Sequence, residues 1–86
     1  GVRFQAVQSL VQLAHEERAR DALRYVLSKD VNQGVRVQAF QALVSYPDDK
    51  TLAVFRQQME KDSNEFIRSQ ARLIVEGPDN GGIIEL

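Results

Sequence analysis

The chain has 86 residues, 43% of them hydrophobic and 27% charged, with eleven lysines and arginines against twelve aspartates and glutamates and no cysteine. That length allows one domain at most, burying about 60–65% of the surface its unfolded chain exposes, and the composition is that of an ordinary globular protein, neither disordered nor fibrous. Near-zero net charge argues against a phosphate-backbone binder, the lack of an eighteen-residue apolar run argues against a membrane-spanning helix, and the missing cysteines remove disulfide and thiolate chemistry.

Hydrophobic periodicity predicts helix almost throughout. In the first stretch Val2, Ala6, Val7, Leu10, Leu13 and Ala14 recur at steps of three and four, with Gln5, Gln8 and Gln12 opposite. A second helix turns Ala19, Ala22, Leu23, Val26 and Leu27 inward and Asp21, Arg24, Tyr25 and Ser28 outward. The third carries Val35, Ala39, Phe40 and Leu43 as far as Pro47, which lacks the amide hydrogen a continuing helix needs and disfavours helical geometry at Tyr46. A fourth runs through Leu52, Phe55 and Met59, and a fifth carries Ile67, Ala71, Leu73 and Ile74 until Gly77 and Pro78 end it. Asn32 and Asn64 precede periodic runs as N-caps, while Glu16, Glu17, Asp48 and Asp49 set negative charge at the positive ends of the second and fourth helix dipoles.

Two of these segments are nearly the same text. DVNQGVRVQA over 30–39 and DSNEFIRSQA over 62–71 share Asp, Asn, Arg, Gln and Ala in one register. Gly1, Val2, Arg3, Gln5, Ala6 and Leu10 match Gly34, Val35, Arg36, Gln38, Ala39 and Leu43, so Arg-x-Gln-Ala occurs three times. Between them Leu23, Arg24, Leu27, Lys29 and Asp30 match Phe55, Arg56, Met59, Lys61 and Asp62. The unit is a helical hairpin of thirty-two or thirty-three residues, with one residue of slack between Leu13 and Glu16, and that period indicates a solenoid. Beginning at Gly1 inside a repeat, the chain reads as a piece of something longer.

The pattern Asp-x-Asn-x-x-(Val/Ile)-Arg-x-x-Ala over Gly1 to Glu76 resembles the short bacterial HEAT-like repeat named after the phycobilisome lyases. Tetratricopeptide repeats would bring a tryptophan and ankyrin repeats a Thr-Pro-Leu-His motif, and neither is here. The resemblance implies an all-α superhelix of about two and a half antiparallel hairpins, right-handed and curved: units of about 1–30, 31–62 and a partial 63–76, then a tail at 77–86. It also implies a polar ladder in which a turn aspartate meets the arginine six residues on, Asp30 with Arg36 and Asp62 with Arg68. Arg3 has no such aspartate before it.

No catalytic constellation stands out. His15 is the one histidine; with no cysteine, a zinc site has no ligand set, and the single His15-Glu16 pair reads as a loop. Ser9, Ser28, Ser45, Ser63 and Ser69 lack the nucleophile-elbow context. Gly81-Gly82 lacks the lysine and helix start of a phosphate loop and reads as tail, with Ile83 and Ile84 beside it. No catalytic residue, metal or cofactor is expected, nor contact with nucleic acid or membrane.

What remains is surface. In stacked hairpins of this type the second helices line the concave side, here Glu17 to Lys29 and Asp49 to Lys61. Their outward residues, Arg20, Arg24, Tyr25 and Ser28, then Arg56, Gln57, Glu60 and Lys61, form a mixed-charge strip for a protein partner, since arginine and tyrosine combine area with directed hydrogen bonds. A non-catalytic interaction or scaffolding module follows. Its rivals are a sensory domain of a bacterial regulator such as an anti-sigma factor and a bilin lyase subunit, the latter needing an apolar cleft. Apolar faces left unpartnered at both ends of the stack predict self-association as well.

Overall fold

In the computed structural model, residues 2–77 are described, with side chains from Phe4 onward. They form five α-helices and no strand: α1 (Val2–Gln12), α2 (Glu17–Lys29), α3 (Gln33–Leu43), α4 (Asp49–Lys61) and α5 (Glu65–Glu76). This is the helical-hairpin solenoid expected from the period. The tail residues Ile83 and Ile84 lie outside the described residues.

The helix ends follow local chemistry. Asn32 Oδ1 accepts from the Val35 amide at 3.1 Å and Asn64 Oδ1 from the Ile67 amide at 3.0 Å, each satisfying a backbone donor left free in the first turn. Just upstream, Asp30 and Asp62 accept the amides of Asn32 and Asn64 at 2.8 Å, so the two turns are built alike. Asp48 caps α4 by accepting from the Thr51 amide at 2.9 Å, whereas Glu16 makes no side-chain cap on α2. The third helix stops at Leu43, earlier than Pro47 requires, and α5 ends at Gly77, whose φ of 82° is a backbone state that glycine adopts without strain.

Helices α1, α3 and α5 form one layer, α2 and α4 the other. The closest pairs are α2 with α3 and α4 with α5, joined by the short Asp-x-Asn turns; α1 packs on α3, and α2 on α4. The core runs between the layers through Val7, Leu23, Leu27, Phe40, Leu43, Phe55 and Ile67. Phe40 holds the junction of the two close pairs, with its ring centroid 4.8 Å from that of Phe55 and 6.2 Å, edge-on, from that of Phe66.

Three expectations change. Leu13 is exposed because α1 ends at Gln12 and the chain leaves helical phase there, while Ala14 is buried from within the turn; Ala6 is exposed too, the inward arc of α1 running through Val7, Leu10 and Val11. The outward position expected of Arg24 is corrected to a buried one. Finally, the C-terminal face of the stack is not bare apolar surface. Arg72 stands where Phe40 stands one repeat earlier; it is exposed, donates to Glu76 at 3.2 Å and lies 3.7 Å from Glu60. Leu73 is exposed beside it.

Candidate functional site

Two polar junctions tie one hairpin to the next, and they decide which side chains remain for a partner. At the first, Arg36 from α3 donates through Nε and Nη2 to both oxygens of Asp62, at 3.1 and 2.9 Å, and through Nη2 to the Ser63 hydroxyl at 3.0 Å. Its Nη1 donates to the Asp30 carbonyl at 2.9 Å. Thus Arg36 meets Asp30 through the backbone, and the carboxylate it holds belongs to the following turn. Gln58 completes the cluster from α4, donating to Asp62 at 2.7 Å and to the Leu27 carbonyl at 3.3 Å. Burial pushes the Asp62 carboxyl up, but the Arg36 fork, the Asn64 amide and Gln58 outweigh it and hold the group below the ordinary carboxylate range.

Arg24 centres the second junction, 6% of its side chain exposed. Its Nη1 donates to the Thr51 hydroxyl at 2.9 Å and to Asp48 at 3.4 Å, and its Nη2 to Glu17 at 2.8 Å and to Asp21. The arginine points at the next hairpin rather than at solvent because α4 brings Thr51 and Asp48 against it. Arg24 in turn pulls the Asp21 carboxyl down. For Asp48 burial pushes up, and the Thr51 amide and hydroxyl with Arg24 and Arg20 bring it down. Arg20 joins from one turn earlier: it donates to the Ala14 carbonyl and to Glu17, both at 2.8 Å, and its guanidinium carbon lies 5.0 Å from the Tyr46 ring centre.

The predicted strip therefore divides. Arg20 and Arg24 are committed to the fold. Tyr25 is 68% exposed, Ser28 is half-buried with its hydroxyl on the Tyr25 carbonyl, and Arg56, Gln57, Glu60 and Lys61 are exposed. Two shallow grooves meet at the ends of α2 and α4. One, of about 250 Å³, is lined by Tyr25, Val26, Lys29, Asp30 and Val31; the other, of about 360 Å³, includes Ser28, Val31, Lys61 and Ser63. A larger groove of about 750 Å³ runs along α5 between Met59, Glu60, Arg68, Arg72 and Leu73. Arg68 takes the pose of Arg36, with Nη1 on the Asp62 carbonyl at 2.7 Å, but its Nη2 finds only the exposed Glu65 at 3.2 Å.

Sequence reasoning missed Thr51, Gln58 and Val31. Thr51 and Gln58 are polar residues buried on the inner side of α4, and the aligned register carried the signal, since they stand opposite Ala19 and Val26 of α2. His15 is exposed in the turn after α1, 3.7 Å from Glu16. Among the described residues no three His, Cys, Asp or Glu side chains gather as a metal site would need, and no helix is long and apolar enough to cross a membrane.

Comparison with known proteins gives one finding: the family model for HEAT repeats matches residues 1–75. No curated protein and no solved structure matches the chain.

Proposed function

The chain belongs to the HEAT repeat family, and on that premise we propose that it is a non-catalytic protein-interaction module, a scaffold segment that holds another polypeptide along the outer face of α2 and α4. The carrying observation is the division of the two second helices: their inner arcs, with Arg20 and Arg24, are spent on stacking, while Tyr25, Arg56, Gln57, Glu60 and Lys61 stand exposed on the other side. Side chains that contribute little to the fold are available to a partner. The Asp-x-Asn-x-x-(Val/Ile)-Arg-x-x-Ala signature supports placing these repeats with the short bacterial type named after the phycobilisome lyases. The strip is too polar for a tetrapyrrole, so adding a bilin is expected to leave its absorbance unchanged.

A photo-reactive phenylalanine analogue placed in turn at Tyr25, at Gln57 and at Gln41 of α3 tests the reading in the cell of origin. Cross-links to a partner are expected from Tyr25 and Gln57 and not from Gln41, which is exposed on the other layer. Cross-linking from Gln41 alone would refute it.

A further inference from the structure

Ion pairing divides the cations among the described residues. Arg20, Arg24, Arg36, Lys50, Arg68 and Arg72 each have a carboxylate within ion-pair distance. Four cations do not: Arg18, Lys29, Arg56 and Lys61. Three of the four lie in the C-terminal halves of α2 and α4. Lys29 and Lys61 occupy the same register one repeat apart, and each lines one of the two grooves that share Asp30 and Val31. The carboxylates nearby are engaged elsewhere: Asp62 holds Arg36, Asp30, which lines both grooves, accepts the Asn32 amide, and Glu60 lies against Arg72. The two most exposed large hydrophobic side chains described stand here too: Val31, at 84%, lines both grooves, and Tyr25, at 68%, lines the one with Lys29. Unneutralised cations flanking an apolar pair are complementary to a segment that alternates carboxylates with apolar residues.

We infer that the ridge of Tyr25, Lys29, Val31 and Lys61 binds an extended acidic segment of a partner protein, carboxylates on the two lysines and an apolar side chain against Tyr25 and Val31. The inference rests on the interaction reading and names the class of partner. Helices pack about 10 Å apart and an extended chain advances about 3.4 Å per residue, so about six residues span the roughly 20 Å across both helices, and a peptide of eight covers them. A polypeptide fits better than a nucleic acid: the chain as a whole carries a net charge of −1, and the apolar pair has no use for a phosphate backbone.

Fluorescence anisotropy of the whole chain with labelled Asp-Glu-Leu-Asp-Glu-Leu-Asp-Glu tests it, beside the same peptide with Asn and Gln for the acids and a single-stranded thymidine oligonucleotide of equal length. The acidic peptide is expected to bind best, and more weakly as salt rises. Lys29→Glu with Lys61→Glu is expected to weaken it about tenfold, and Tyr25→Ala about threefold, with thermal melts that overlay the parent. Equal binding of the acidic and neutral peptides, tighter binding of the oligonucleotide, or indifference to the lysine pair would overturn it. Cross-links from Gln57 without a response to the acidic probe remove this inference alone; silence in both experiments removes the interaction reading too.

Discussion

Set α2 and α3 beside α4 and α5, and the same letters in the same register do different things. Arg24 and Arg36 are buried and hold carboxylates of the next hairpin, while Arg56 and Arg68 stand open or half-open. Phe40 is sealed between Phe55 and Phe66, while its counterpart Arg72 spreads across the surface among glutamates. For the arginines the difference lies in what is packed downstream, since residue and register are identical; at Phe40 and Arg72 the side chain itself has changed as well. In a stack of this kind a residue's energetic role is set by its neighbour as much as by its own helix, which is why nearest-neighbour terms dominate stability in such arrays.

Substitutions at matched positions sharpen this contrast. The largest effect is expected for Phe40→Ala, about 3–5 kcal/mol lost, against less than about 1 kcal/mol for Arg72→Ala, as read from urea unfolding followed by circular dichroism. For a domain this small, whose whole stability is of the order of 5 kcal/mol, the first substitution is close to unfolding it. Next come the junction arginines. Arg36→Ala leaves the Asp62 carboxylate buried without its fork and is expected to cost about 3 kcal/mol, while Arg68→Ala costs less than about 1. Equal losses from the two would break the comparison.

Acid gives a third route. Asp62 and Asp48 are held below their ordinary value in the folded chain, so the unfolded chain takes up protons first and stability rises with pH through that window. Their contribution is complete above about pH 5 and drains away as pH falls below about 4. The melting temperature is expected to drop from pH 6 to pH 3, and Asp62→Asn to flatten that slope. The smallest effects belong to the caps: Asn32→Ala and Asn64→Ala are each expected to cost about 1 kcal/mol by the same urea titration, Asn64 somewhat more because its Nδ2 also donates to Gln33.

Much of this was legible in the letters. Five periodic runs, two asparagine caps and a repeat of about thirty-two residues gave the helices and the stack, because each rests on local rules. The fate of Arg24 was not, since a lone arginine on the polar side of an amphipathic run reads as solvated; its burial depends on Thr51 and Asp48, 24 to 27 residues later. One clue was present: Arg24 recurs at Arg56 in the same way that Arg36 recurs at Arg68, and a repeated arginine that served only solvation would need no fixed register. The true partner of Arg36 was hidden for the same reason, because Asp30 and Asp62 are equally aspartate in sequence and only the stacking selects between them. The ridge around Val31 was also invisible, since the exposure of a valine in a turn depends on which way the turn faces.

The Asp62 carboxylate gathers α3, α4 and the turn before α5 at one point, accepting from Arg36, Gln58 and the Asn64 amide together. A load that draws α3 away from that turn meets the two bonds of the Arg36 fork side by side, while Gln58 and the Asn64 amide hold the carboxylate in place to receive them, so the fork resists as one until it gives way as one. Tension on the array should therefore be carried elastically through its turns, with sudden rupture where the fork lets go rather than gradual fraying of the helices.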